Sequence, residues 1–360
     1  MLLRGFENSI QKVAIVGAGG NIGKAIAEEL LKTGKHTVTA ITRKESTSSL
    51  PNGVKKAFVD YENKRSLVAA LNGQDFLVIT LSLSAPPGTH TSLIQAAAEA
   101  GVSYVMPNAY SINTHSAAIR KDIPITNTVM ENIAEVQKAG LTSIALMNGF
   151  WYEYSLIAGP VTFGFDLKNR TVTLYDDGEQ AIKVATWAQC GRAVASVLSL
   201  KIIPEDADDK SINISQFHNK TVFASSFKIS QRDMLESVKR VTGTVDSDWK
   251  VDHETTQKRY NDGLEELKQG KQGGFYKLMY ARVFQPTDDA DFASDNNLLG
   301  LPIEDLDEAT RTAMLISYLQ WASTRDLFPV LCQTTFNVYR PIVFVTDNAT
   351  LSAFSPKVFN

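Results

Sequence analysis

The chain has 360 residues, 44% of them hydrophobic and 21% charged, and a formal net charge of −3. That length allows two domains, or one large domain with an appendage, and that apolar content excludes global disorder. The charge balance gives no electrostatic footprint for nucleic acid, and Cys190 and Cys332 stand too far apart for a Cys-x-x-Cys site, so two thiols in a reducing compartment are expected.

The N-terminal stretch MLLRGFENSIQK is interrupted by charges where a secretory signal needs an unbroken apolar core. No run of the ~20 apolar residues needed to cross a bilayer occurs. A cytoplasmic protein without membrane contact is therefore expected. The glycosylation tripeptides at Asn169, Asn213, Asn219 and Asn348 then carry no meaning.

Along the first half, apolar runs alternate with amphipathic ones. Strands are predicted at Val13–Val16, Thr37–Thr42, Ala57–Val59, Phe76–Leu81, Ser103–Met106 and Ser143–Met147. Helices are predicted at Gly23–Lys32, Arg65–Leu71, Thr89–Ala100 and Thr128–Lys138, each followed by a glycine (Gly34, Gly73, Gly101, Gly140) suited to a left-handed C-terminal cap. This rhythm predicts a doubly wound parallel α/β sheet.

The rhythm breaks after Met147. An aromatic cluster, NGFWYEY, spans 148–154, a strand is predicted at Arg170–Tyr175, and Asp177-Gly178 reads as a turn. Helices are predicted at Ala188–Leu200 and Ser230–Thr242, with Ser230 as N-cap. Residues 254–285 suit either a mobile helical flap loosened by Gly270, Gly273 and Gly274, or a plain solvated helix pair. The acidic run at 288–297 reads as a loop. The domain reading is a Rossmann domain at 1–150, a smaller α+β substrate-binding region at 151–325 interleaved with it, and a tail at 326–360 with no assignable role.

The stretch AIVGAGGNIGKA at 14–25 carries the first chemistry. Gly17 suits the tight turn leaving the strand, Gly20 allows backbone to approach a pyrophosphate, and Gly23 allows the helix to pack closely. The helix start at Asn21 and Ile22 adds free N–H groups for an anion. The second strand ends in Arg43-Lys44 with no carboxylate before Glu45, which favours a 2′-phosphate and hence NADP(H) over NAD. Tyr61 is placed to stack on adenine. Thr80, Leu81 and Ser82 lie at the carboxyl edge of the fourth strand, and Pro107 and Asn108 follow the fifth.

Together GAGGNIG at 17–23, TRK at 42–44, AGVSYVMPNAY at 100–110 and AGLTSIALMNGFWYEY at 139–154 resemble the NmrA-like and isoflavone-reductase-like branch of the atypical short-chain dehydrogenases. DDGEQ at 176–180, AQCGRAVASVL at 188–198 and SQRDMLESVKRVTG at 230–243 fit later landmarks of that branch, and NNLLGLPIEDLDEATRTAM at 296–314 resembles its fungal members. The resemblance covers roughly residues 12–320. It implies NADP(H) on the glycine loop and a cleft between the Rossmann domain and a smaller C-terminal region. It also implies reduction of phenolic double bonds or benzylic ethers, with some fungal relatives guiding alkaloid cyclisations. The founding regulator of the branch binds dinucleotide without turning it over.

Two features depart from the pattern. Where plant reductases carry Pro-Ser-Glu-Phe-Gly, this chain has Pro107-Asn108-Ala109-Tyr110-Ser111, and the family lysine falls near Thr128–Met130, where none stands. The Tyr-x-x-x-Lys pair of typical short-chain dehydrogenases is also missing. The remaining donors near the nicotinamide end are Tyr110 and His115, read as catalytic candidates, and Asn148, with Glu153 slightly further along. Asn148 and Phe150 are expected beside the nicotinamide, and Trp151, Tyr154, Tyr276 and Tyr280 as an aromatic substrate wall. No metal-ligand cluster is read.

The function expected is an NADP(H)-dependent oxidoreductase reducing an aromatic or alkaloid small molecule (C=C or iminium), with a cyclisation as an allied role, in a monomer or homodimer. The competing reading is a non-catalytic NmrA-like dinucleotide sensor acting on a protein partner.

Overall fold

The computed structural model describes residues 7–82 and 84–323, with side chains to 319. The tail read from 326 lies outside these residues. The first half follows the predicted rhythm: β1 (Lys12–Val16), α1 (Asn21–Lys32), β2 (Thr37–Arg43), β3 (Lys55–Val59), α2 (Lys64–Leu71), β4 (Phe76–Ile79), α3 (Thr89–Ala100), β5 (Tyr104–Met106), α4 (Ala117–Asp122), α5 (Asn127–Lys138) and β6 (Thr142–Met147). The glycines after α1, α2, α3 and α5 adopt left-handed φ values between 67° and 77°. β1 and β4 are buried almost throughout, as strands covered on both faces must be.

The second half supplies β7 (Phe150–Trp151), α6 (Tyr152–Ile157), β8 (Phe165–Asp166), β9 (Thr171–Tyr175), β10 (Ile182–Ala185), α7 (Trp187–Leu198), β11 (Lys220–Phe223), β12 (Phe227–Ile229), α8 (Gln231–Thr242), β13 (Lys250–Glu254), α9 (Thr256–Lys268), α10 (Gly273–Val283) and α11 (Leu306–Ser323). The main sheet has seven strands in the order β11-β6-β5-β4-β1-β2-β3, every neighbouring pair parallel. β11 completes it from the far half of the chain, a strand the sequence pattern does not announce. Two three-stranded sheets, β12-β10-β7 and β13-β9-β8, form the smaller region.

Three large cores follow from this layout, with a small fourth cluster of Ala109, Ile133, Ala145 and Met147 among the described residues. One lies between the main sheet and the α1/α7 layer, where Ile26, Leu30, Cys190 and Val194 meet. A second, with Leu67, Leu93 and Val136, covers the opposite face. The third belongs to the smaller region and contains Tyr152, Phe163, Phe165, Tyr175 and Tyr280. Because α7 packs on α1 and β11 pairs with β6, the two halves of the chain share one body.

The segment 254–285 is a closely packed helix pair. A Cβ at Gly274 would lie 2.6 Å from the Gly263 carbonyl oxygen, so this glycine brings α10 against α9 and does not loosen it. Arg282, buried on α10, is fixed between Asp122 and Asp289. The acidic run at 288–297 forms neither helix nor strand. It straps the smaller region to the sheet edge: Phe223 N–H donates to Asp295 at 2.8 Å, and Asp295 N–H donates to the Phe223 carbonyl at 2.7 Å.

Ser230 caps α8 as predicted, in a reciprocal box with Asp233. Ser230→Ala should therefore lower global stability by about 1 kcal/mol in urea melts, without altering dinucleotide affinity.

Candidate active site

The glycine loop, Arg43-Lys44, Thr80–Ser82, Pro107-Asn108 and Asn148 follow the carboxyl ends of strands of the main sheet, where open α/β sheets bind ligands, whereas Phe150 lies on β7 of a smaller sheet. Gly17 has φ +79°, and a Cβ there would lie 2.2 Å from the Thr80 carbonyl oxygen. A Cβ on Gly23 would lie 2.2 Å from the Gly17 carbonyl oxygen. Thr80 closes the contact from β4, donating its hydroxyl to the Val16 carbonyl at 2.7 Å. Gly20 is the N-cap of α1 and supplies no side-chain cap. The N–H groups of Asn21, Ile22 and Gly23 thus open the helix without an internal acceptor, at the positive end of its dipole. The loop after β2 folds back here, since a Cβ on Gly19 would meet that of Ser48 at 2.6 Å. The glycine spacing alone did not single out this contact.

Arg43 closes β2 and Lys44 follows it. Both are exposed, and neither makes an ion pair among the described residues. Tyr61 donates its hydroxyl to the Ile41 carbonyl at 3.2 Å, and burial pushes its pKa up to about 12 against the opposing charge of Arg43. Tyr61 thus packs beside two cations that make no ion pair among the described residues.

Toward the nicotinamide end, Asn108 ties three elements together. Its amide bridges the Leu81 N–H and carbonyl, both at 3.1 Å, and its own carbonyl accepts from Asn132 of α5 at 3.0 Å. Pro107 is buried beneath it, and the Ser82 hydroxyl bonds that of Ser84. The backbone N–H groups of Asn148 and Gly149 both donate to the Ser111 carbonyl. Asn148 is fully buried, and its side-chain oxygen has no partner. The first turn of α5 reads Asn127-Thr128-Val129-Met130 and carries no lysine.

The two catalytic candidates do not converge. The Tyr110 hydroxyl is sealed in the first core without a partner, and burial, then the neighbouring Cys190, push its pKa far up. It is a hydrogen-bond donor held away from solvent. His115 is exposed at the other rim, where Nε2 meets the Thr221 hydroxyl at 2.7 Å and the ring tilts on Phe223. Burial, with Arg120 second, lowers its pKa.

The aromatic wall also divides. Tyr280 is 2% exposed and lies 3.9 Å, nearly parallel, over Phe150, with its hydroxyl on Ser155 at 2.7 Å. Both rings are core of the smaller region, which corrects Tyr280 as a substrate contact and Phe150 as a ring against the cofactor. The reason is the alternation about β7, which turns Phe150 inward. Tyr154 and Tyr276 are half-buried and tilt on each other at 6.4 Å. Trp151 packs instead on the first core, together with Trp187, and both indole N–H groups lack partners.

Glu153 is the residue that sequence reasoning undervalued. It is 3% exposed, and both carboxylate oxygens accept from the Trp187 N–H that opens α7, at 3.1 and 3.2 Å. Burial is the main force raising its pKa from 4.5 to about 7, aided by Glu304 and opposed by Arg192. Its signal was a lone acid inside an aromatic run.

Residues 17–141 match a family model described as NAD(P)H-binding. An oxidoreductase from Aspergillus flavus, aprR, is 29% identical over 306 residues, covering 82% of this chain and 96% of the relative. Among solved structures, AtPrR2 with NADP+ and (+)-pinoresinol superposes with a TM-score of 0.64 at 17% identity, covering 86% of this chain and all of that one. An isoflavone reductase superposes equally well, TM-score 0.64 at 16% identity, over 84% of this chain and 99% of that one. The fold and the glycine loop are those of a Rossmann protein, and the matched model makes the first half an NAD(P)H-binding domain. The chain as a whole is similar to a fungal oxidoreductase and shares the fold of the pinoresinol and isoflavone reductases.

Two outcomes are expected. Arg43→Ala should weaken NADPH by about tenfold or more while leaving NADH nearly unchanged, measured by cofactor fluorescence titration. Equal losses would remove Arg43 from the 2′-phosphate. For Glu153 the folded pKa lies above the unfolded one, so the folded state holds more protons between pH 4.5 and about 7. Stability should fall as pH rises through that window, by no more than about 3 kcal/mol, and level off above it. Glu153→Gln should flatten this part of the melting-temperature profile.

Proposed function

We propose that the chain reduces an electrophilic aromatic or alkaloid small molecule, a conjugated C=C or an iminium, in specialised metabolism. The observation that carries this reading is the uncapped start of α1, together with the exposed cations Arg43 and Lys44 at the end of β2 and the buried Asn148 side-chain oxygen that has no partner among the described residues. NADPH, when bound, supplies the hydride.

In this reading the N–H groups of Asn21, Ile22 and Gly23 hold the pyrophosphate, and Arg43 and Lys44 hold the 2′-phosphate. Tyr61 flanks the adenine. Thr80–Ser82 and Pro107-Asn108 set the width of the sheet edge, and Asn148 orients the carboxamide or ribose through its free oxygen. Tyr154 and Tyr276 remain the aromatic surface offered to substrate. The Tyr110 hydroxyl, sealed in the first core, is given no contact with the acceptor. Without a family lysine, proton delivery is weak, which favours acceptors that take hydride with little acid assistance, an iminium above all. A reduced product held in this way is placed to cyclise. His115, engaged by Thr221 and Phe223, has at most a relay role at the rim.

One observation favours the sensor reading: Phe150 and Tyr280 fill with packed rings the space expected for a deep cleft. The readings separate on NADPH consumption, followed by absorbance with quinone, enone and iminium acceptors. The reductase reading expects turnover with at least one class. Tight binding of both NADPH and NADP+ without consumption of either would establish the sensor. Tyr110→Phe, which removes a hydroxyl sealed in the core, is expected to leave kcat and NADPH affinity within about twofold. A hundredfold loss of kcat with intact NADPH affinity would bring Tyr110 into the mechanism.

A further inference from the structure

The strap that runs from 288 to 304 is fastened at both ends by charge. At its start Asp291 lies between Lys183 and Lys228, cross-strand partners on β10 and β12, at 3.2 and 2.7 Å. At its far end Glu304 meets the first turn of α7. It accepts from the Thr186 hydroxyl at 2.9 and 3.0 Å, from the Ser226 hydroxyl and from the guanidinium of Arg192. Arg192 also donates to the Gln189 side chain at 2.8 Å, and Gln189 donates to the Pro302 carbonyl at 3.0 Å. Two lysines hold the one acid at the start, whereas Arg192 is the cation that pairs with Glu304 among the described residues.

A second carboxylate lies against the same turn. Glu153 is 3% exposed, accepts from the Trp187 N–H with both oxygens, and makes no ion pair among the described residues. The titratable groups that act on it are Glu304 from the strap, Arg192 and Cys190 from α7, and Tyr152 from its own helix. Burial pushes the thiol and the phenol up, and the same holds for Tyr110 beside Cys190, so these three stay neutral. Two acids therefore share one guanidinium in a place largely closed to water, where like charges raise each other's cost of ionising. Glu304 has the guanidinium and two hydroxyls, and Glu153 has backbone N–H alone. Glu153 is thus the acid that takes the proton, and burial, aided by Glu304, holds that proton up to about pH 7.

We propose that Glu153 and Glu304 form a proton-dependent latch for the strap. With a proton on Glu153, the Glu304–Arg192 pair holds the strap against α7. With both acids ionised, their repulsion across one guanidinium frees the 296–304 end. This end also covers the edge of the main sheet at β11, where Asp295 bonds the Phe223 N–H at 2.8 Å and Asn296 the Ser225 N–H at 3.2 Å. Phe223 pairs with Met147 of β6, so release uncovers the edge beside Asn148. The latch goes beyond the reductase reading and needs no turnover, because it concerns only how that edge is covered.

The test is hydrogen exchange read by mass spectrometry on the full chain from pH 6 to pH 8, each rate corrected for the intrinsic pH dependence of exchange. The amides of Leu299, Gly300 and Leu301 report the strap, since they donate within it to the carbonyls of Asp295, Asn297 and Asn296. Their protection should fall about tenfold across this range in the unaltered protein. In Glu153→Gln it should stay level at the pH 6 value, and in Glu304→Gln, which removes the repelled charge, the pH response should vanish as well. Level protection in the unaltered protein, or a pH response that survives in either variant, would overturn the latch. So would protection equal to that of β4 at every pH, because the strap would then open only with the whole molecule.

Discussion

The close approach of Gly17 and Gly23 beneath Thr80 is the constraint on which the rest depends. With a side chain at either glycine, the turn leaving β1 could not pass under the end of β4, and α1 could not start where it does. Because α1 starts there with an uncapped terminus, a buried edge of the sheet carries free N–H groups and a positive dipole end. The same contact sets the height of α1, on which α7 then packs. A Cβ at Gly191 of α7 would lie 2.5 Å from the Ala25 carbonyl oxygen of α1. The cofactor edge and the docking of the second half of the chain are thus two consequences of one close packing.

The site built on that edge is uneven. The end proposed for adenosine rests on backbone and exposed cations, a design that needs little tertiary precision. The end proposed for the nicotinamide holds Asn148, whose buried side-chain oxygen has no partner among the described residues. Buried groups of this kind cost about 1–3 kcal/mol each when left unpaired, so a ligand or water that satisfies them is favoured. Glu153 adds a proton-holding group at the start of α7. The strap from 288 to 304 ties this end down, with Glu304 accepting from Thr186 and Arg192 while Asp295 pairs with β11. Substrate-side groups therefore come from three separate parts of the chain.

Much of this was legible in the residues. The parallel sheet showed itself because strands covered on both faces must be continuous apolar runs, and the glycines at 34, 73, 101 and 140 marked where helices stop. Ser230 announced its cap through Asp233 three residues on. What escaped were short, late elements. β11 has only four residues and gains its pairing from β6, some seventy positions earlier, so no local pattern could reveal it. Tyr280 and Phe150 looked like wall residues because an aromatic side chain suits a pocket and a core equally. Only the direction of β7 decided that they stack on each other.

Local chemistry alone marked a unit that binds a nicotinamide dinucleotide and carries the cations on which the proposed preference for NADP(H) rests. The glycine spacing and the Arg43-Lys44 pair lie within one βαβ unit, where neighbours in sequence are neighbours in space. Tertiary structure alone decided which groups meet at the reacting end. It placed Tyr110 against Cys190, held His115 on Thr221, buried Glu153 beneath Trp187, and set Lys183 opposite Lys228 with Asp291 between them. Those meetings depend on long-range pairing of strands and helices, and burial and hydrogen bonding there are properties of the packed whole.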